Sequence, residues 1–188
     1  MKRNRRSDIS LIVSTRNRAQ QLKLMLESIE RQELEDQICE LIIVDNGSTD
    51  DTQSVLNLNW TRMPVISLYE KTAGKSRAVN QALDVASGEL IVFTDDDVTA
   101  SPGWLGDLHR AFNKYESASV FCGPIIPKFP PATPQWLRTH RFAAPMFAIF
   151  EPDLPEGQLP ASLLPFGPNF AVRSSTLFDM RFELALGP

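Results

Sequence analysis

Four short apolar runs, residues 9–14, 40–44, 64–69 and 89–93, each give way to a stretch with the periodicity of a helix. Strand alternating with helix is the signature of a parallel sheet, because parallel neighbours need a long crossover and the crossover is most often helical. The first helix begins near Ala19, carries Leu22, Leu24, Met25, Leu26 and Ile29 as its stripe, and is predicted to end near Gln32. A short helix reaches about Leu56, another spans 75–86 and is closed by Gly88, and a fourth runs from about Pro102 to Tyr115. Further strands are expected at 118–122 and 169–173, with a short helix from Ser174 to about Met180.

In an open α/β sheet, ligands bind outside the carboxyl ends of the strands. Those ends are where this chain places its chemistry. The first strand delivers Thr15, Arg16 and Asn17, the second Asp45 and Asn46, and the fourth Asp95, Asp96 and Asp97. Carboxylates released together from a buried strand suit a hard divalent cation and the diphosphate it carries. The competing reading is a solvated turn in which one aspartate caps the helix before Pro102 and Trp104. Asp45 suits an N–H of a nucleotide base, or serves as the acid of a turn; Thr15 and Arg16 frame the base or reach phosphate, or Thr15 caps the helix.

Ala73-Gly74-Lys75-Ser76 invites a phosphate-loop reading, but that motif requires glycine where Tyr69 stands. The segment still opens a helix whose N–H groups, with Lys75 and Arg77, face a phosphate or are simply capped. Asn80, one turn further, faces either the crevice or solvent.

A formal charge of −4 argues against general affinity for nucleic acid, although Met1-Lys2-Arg3-Asn4-Arg5-Arg6 is basic and reads as a solvated leader. Cys39 and Cys122 lack metal-type spacing, which points to a reduced, cytoplasmic setting. No apolar run approaches the roughly 20 residues that span a bilayer. Most of the prolines fall between Gly123 and Pro168, with Trp136, Phe142, Phe147, Phe150 and Phe166 scattered between them, as in an ordered loop region over one mouth of the sheet, where it recognises ligand or plugs a satellite core.

Ser14-Thr15-Arg16-Asn17-Arg18, Val44-Asp45-Asn46-Gly47-Ser48-Thr49-Asp50, Gly74-Lys75-Ser76-Arg77-Ala78-Val79-Asn80 and Thr94-Asp95-Asp96-Asp97 resemble, in this order and spacing, the family 2 glycosyltransferases. The resemblance implies a GT-A fold: a Rossmann-like, mostly parallel sheet flanked by helices, here a leader over 1–8, a nucleotide-sugar-binding half over 9–122 and, continuous with it, part of an acceptor-side half over 123–188. It implies that Thr15, Arg16 and Asp45 contact base or ribose and that Asp97, with Asp95, holds Mg²⁺ or Mn²⁺; Lys75 and Arg77 are counted with the nucleotide-binding residues on the helix-start reading above. Asp96 reaches the ribose or solvent. Asn80, Gly167 and Asn169 fall in the donor and acceptor region.

The implied reaction is transfer of a sugar from a nucleoside-diphosphate sugar, most often UDP-linked, to a hydroxyl of a saccharide or lipid-linked acceptor, with inversion. Cytoplasmic action is expected, or membrane association through a longer parent chain or the acceptor. Departing leaving-group charge calls for the cation, and one-step inversion calls for a base at the acceptor oxygen. In the family pattern that base is the aspartate of a Glu-Asp pair, expected beyond Pro188; Glu183 stands where a structural turn is usual. No catalytic base is therefore assigned. Two alternatives follow: a nucleotide-sugar-binding module without turnover, and a nucleotidyltransferase, which usually has a glycine-rich loop where 14–18 has none.

Overall fold

A computed structural model describes residues 7–139, 142–151, 154–160 and 163–186. The basic run Met1–Arg6 and Pro188 lie outside the described residues. Ser7 and Asp8, counted with the leader, are part of the fold: Ser7 is buried, and the N–H of Ile38 donates to Asp8 Oδ2 at 2.7 Å.

Six strands form one sheet: β1 (Ile9–Thr15), β2 (Cys39–Asp45), β3 (Val65–Tyr69), β4 (Leu90–Asp95), β5 (Val120–Cys122) and β6 (Phe170–Arg173). Their order is β3-β2-β1-β4-β6-β5. The first four are parallel, while β6 runs antiparallel to both β4 and β5. Both faces are covered, which is why β1, β2 and β4 are near-continuous apolar runs rather than alternating ones.

On one face Ile9, Leu11, Val13, Leu41 and Ile43 pack with Leu22, Met25 and Leu26 of α1 (Ala19–Ile29), Val55 and Leu56 of α2 (Thr52–Leu56), and Leu105, Leu108 and Phe112 of a later helix, Trp104–Lys114. On the other, Ile12, Ile42, Val44, Ile91 and Phe93 meet Ala78, Val79 and Ala82 of α3 (Lys75–Val85). The Trp104–Lys114 helix is α4.

The α1 helix stops at Ile29, one turn short of the expected Gln32. Gln32 is instead turned inward, its Oε1 accepting from the N–H of Leu105 at 3.1 Å and its Nε2 donating to the Ser101 carbonyl at 2.6 Å. It satisfies an N–H in the first turn of α4 from a distant loop, so no aspartate of the 95–97 run is needed there. The cap residue of α4 is Gly103, without a side-chain bond.

At the amino ends of β1 and β4, a β-carbon on Gly88 would lie 2.4 Å from the Ser10 nitrogen. Ser10, Ser87 and the buried Glu40 form a polar cluster there, and Gly88 N–H donates to Ser10 Oγ at 2.8 Å.

Beyond β5, the proline-rich region holds two short helices that the sequence did not predict, α5 (Gln135–Thr139) and α6 (Ala143–Met146), and an antiparallel bridge between Ile125 and Phe150. The expected helix after β6 is a 3₁₀ turn over Ser174–Leu177. Its consecutive hydroxyl residues are poor helix-interior residues, because such side chains compete for backbone partners.

Candidate functional site

Register brings the predicted residues together. Thr15, the last residue of β1, pairs with Asp45, the last of β2, and Ser14 pairs with Asp95 of β4. Because β1 lies between β2 and β4, three polar strand ends share one edge.

Asp45 is 4% exposed, and its Oδ1 accepts from the N–H of Ser48 at 2.8 Å. The turn foreseen for it is thus present, and it uses one oxygen; Oδ2 accepts no hydrogen bond from the described residues. Asn46 joins this edge to α3. Its Oδ1 accepts from Gly74 N–H at 2.8 Å, and its Nδ2 donates to the carbonyls of Thr72 and Glu70 at 2.8 and 3.1 Å. Gly74, with φ of 143°, adopts a backbone conformation that side chains disfavour.

The three acids have separate partners. Thr15 Oγ1 donates to Asp96 Oδ2 at 2.7 Å, and Arg18 Nη1 donates to Asp96 Oδ1 at 3.3 Å and Asp97 Oδ2 at 2.7 Å. Lys75 forms an ion pair with Asp95. Asp96, expected at the ribose or in solvent, is 5% exposed. Burial pushes its carboxyl above the ordinary range, opposed first by the Thr15 hydroxyl and then by Arg18. The Arg18 guanidinium is pushed up, chiefly by its hydrogen bond to Asp97. Arg16, following β1, and Arg77, in the first turn of α3, are exposed, and their side chains make no hydrogen bond or ion pair with the described residues.

Beside the acids a cleft of about 190 Å³ is lined by Lys75, Ser76, Val79, Phe93, Asp95 and Phe182, and also by Gly167. Phe93 stacks on Phe170 at 4.7 Å and meets Phe182 edge-on at 5.6 Å. Asn80 points neither into open crevice nor free into solvent. Its Nδ2 donates to the Phe182 carbonyl at 2.9 Å and its Oδ1 accepts from the Phe182 N–H at 2.8 Å, clamping that segment to α3. The Asn169 amide is held within the fold, accepting from Trp104 Nε1 at 2.8 Å and donating to the Pro124 carbonyl at 3.0 Å. Glu183 is exposed and accepts from Ala185 N–H at 3.3 Å.

The sequence reading missed roles for Asn46 and Arg18. A readable signal existed for Arg18. It occupies the cap position of α1, where a short oxygen-bearing side chain is preferred, and it makes no capping bond. Asp50 supplies the cap, accepting from Ala19 N–H at 3.0 Å.

Donor chemistry at the edge fits a hard cation. Asp95 and Asp97 offer carboxylate oxygens from side chains 26% and 50% exposed. Mg²⁺ is commonly held by one or two carboxylates together with substrate phosphates, rather than by an all-protein cage. No group of three or more acid, histidine or cysteine side chains that could hold a metal ion by itself forms among the described residues.

Comparison with known proteins points one way. The model of the family described as "Glycosyl transferase family 2" matches residues 10–180. The chain is 35% identical over 123 residues to the GalNAc(5)-diNAcBac-PP-undecaprenol beta-1,3-glucosyltransferase of Campylobacter jejuni, covering 64% of this chain and 39% of that protein. The structure of S. aureus TarS 1-349 in complex with UDP-GlcNAc superposes with a TM-score of 0.67 at 21% identity, over 94% of this chain and 48% of that one. The mannosyltransferase PcManGT from Pyrobaculum calidifontis, in complex with GDP-Man and Mn²⁺, gives 0.62 at 23%, over 93% and 47%. These structural likenesses show the GT-A fold. The chain spans less than half the length of each of these proteins.

Proposed function

Because the chain belongs to glycosyl transferase family 2, we propose that it forms the donor site of an enzyme that transfers a sugar from a nucleoside diphosphate, UDP first, to a hydroxyl of a saccharide or lipid-linked acceptor, with inversion at the anomeric carbon. The observation that carries this reading is the in-register convergence of Thr15, Asp45 and the 95–97 acids on one sheet edge.

Asp45 offers Oδ2 to an N–H of the base while Oδ1 stays on Ser48. Thr15 orients Asp96 beneath the nucleotide, and Arg16 and Arg77 supply unpaired positive charge for ribose and phosphate. Lys75, at the start of α3, adds its ammonium to the N–H groups of that helix end. Asp97 and Asp95 would hold Mg²⁺ or Mn²⁺, which stabilises negative charge developing on the leaving diphosphate. The aromatic cleft beneath Phe182, with Gly167 at its wall, borders the donor sugar, and Asn80 and Asn169 shape this region by holding its segments in place. No base is assigned.

A cytoplasmic setting is part of the proposal. Cys39 and Cys122 are both free, and burial pushes the Cys39 thiol up to about 12, far from reactive thiolate. No helix among the described residues is long and apolar enough to cross a membrane.

Calorimetry with UDP or GDP in the presence of Mn²⁺ tests the donor site. Nucleotide binding that depends on Mn²⁺ and is lost in Asp97→Ala is the expected result; binding indifferent to both removes the metal role. Transfer to a panel of acceptors separates an enzyme from a binding module without turnover. Release of pyrophosphate from a nucleoside triphosphate and a sugar phosphate would instead favour nucleotidyl transfer.

A further inference from the structure

Arg18 stands where the fold does not require an arginine. Capping of α1 belongs to Asp50, and Arg18 instead extends its Nη1 between Asp96 and Asp97. Its side chain is 49% exposed and that of Asp97 is 50% exposed, so the pair is open to solvent and weak enough to exchange partners. Across the crevice Lys75 holds Asp95 in the same way. Both carboxylates assigned above to a divalent ion therefore already carry a cation of the chain itself.

Charge explains what such an arrangement does. A divalent ion on Asp97 Oδ2 would meet a guanidinium 2.7 Å from the same oxygen, and the two repel. A nucleotide diphosphate alone would find Arg18 and Lys75 already held by Asp96, Asp97 and Asp95. The ion and the diphosphate of a nucleotide sugar together bring no net charge, so they enter by exchange of partners: acids to the metal, basic side chains to the phosphates.

We propose that Arg18 competes with the divalent ion for Asp97 and, once displaced, turns to the donor's diphosphate, so that metal and nucleotide bind as a unit rather than separately. This rests on the donor-site reading above. It makes Arg18 a source of coupling between two ligands, and such coupling acts equally on both.

The test is Mn²⁺ binding followed by electron paramagnetic resonance, with and without UDP, for the wild type, Arg18→Gln and Arg18→Lys. Arg18→Gln is expected to bind Mn²⁺ alone about three- to tenfold more tightly than the wild type, a range set by a lost competitor and lost repulsion. UDP should bind it more weakly in the presence of Mn²⁺, and the factor by which UDP tightens Mn²⁺ should shrink. Arg18→Lys, which keeps the charge, should lie near the wild type. Adding Asp97→Asn to both the wild type and Arg18→Gln should erase the difference in Mn²⁺ affinity between them, since the contested oxygen is gone. Wild type that binds Mn²⁺ and UDP together, with Arg18→Gln unchanged or weaker toward Mn²⁺ alone, overturns the proposal and leaves the donor site standing. Wild type that binds no Mn²⁺ with either UDP or GDP overturns both. Should Arg18→Gln fail to fold, a loss of metal–nucleotide coupling in Arg18→Lys as large as that expected for the glutamine would overturn the role given to charge.

Discussion

Replacing Thr15 by valine keeps the branching of the side chain and deletes one hydroxyl. That hydroxyl donates at 2.7 Å to Asp96 Oδ2, and both residues are nearly sealed from solvent, at 3% and 5% exposure. A hydrogen bond to a charged group contributes roughly 1.5–3 kcal/mol, and a buried acceptor left alone carries its desolvation cost. Arg18, at 3.3 Å from the other oxygen, tempers the loss. Thr15→Val is therefore expected to destabilise the fold by about 2 kcal/mol, roughly a 30-fold change in the folding equilibrium. For a chain of this length the midpoint should fall by about 4–8 °C. Urea unfolding supplies the measurement, and a cycle with Asp96→Asn isolates the pair. Thr15→Ser should recover most of the stability. A loss below about 0.5 kcal/mol, or an equal loss in the Asp96→Asn background, would show that the hydroxyl does not support the acid as described.

Three further outcomes are expected. Gly88→Ala places a β-carbon 2.4 Å from backbone nitrogen, so it should cost about 1–3 kcal/mol or more in urea unfolding; a silent substitution would mean that the 88–90 segment moves freely against β1. Asp45→Asn keeps an oxygen for Ser48 N–H but replaces the free oxygen by a donor, so calorimetry should show UDP binding weakened by about 1–3 kcal/mol with the melting temperature nearly unchanged. Asp50 is held below its usual 3.8, first by the Thr52 hydroxyl and then by Ala19 N–H. Its contribution is present above that value and lost as pH falls through the lowered one, so the stability gap between wild type and Asp50→Asn should hold steady near neutrality and close below about pH 4; a gap that widens in acid contradicts the assignment.

The parallel core was legible because β1, β2 and β4 are buried on both faces and therefore apolar throughout, and because each ends at an abrupt polar segment. The gathering of the candidate residues was legible to the same extent: strand ends in a parallel sheet face one way, so Thr15, Asp45 and Asp95 had to lie near one another. What stayed hidden depends on long-range placement. That β6 inserts between β4 and β5 is a matter of topology which four residues, Phe-Ala-Val-Arg, do not encode locally. Asn46 and Gln32 looked like ordinary turn and helix-end residues, yet each satisfies backbone groups from a segment 28 or 73 positions away. The α5 and α6 helices, of five and four residues, are too short to display a period.

The position of β6 also governs the order in which the molecule is completed during synthesis. When the chain has grown to Cys122, β1 to β4 have all their parallel partners, but β4 presents a bare edge and β5 has nothing to pair with. Both wait for Phe170–Arg173, made some fifty residues later, across the proline-rich region. Pairing over so long a loop is slow relative to local helix formation, and an unpaired edge invites association with other chains in the interval. The nascent protein is thus most exposed to aggregation after its four parallel strands are in place and before its last strand arrives. Arg173 then closes the gap from the end of that strand, donating to the carbonyls of Phe112 and Ala118 and lying 3.9 Å over the Phe112 ring, so the closing strand locks to α4 as it enters the sheet.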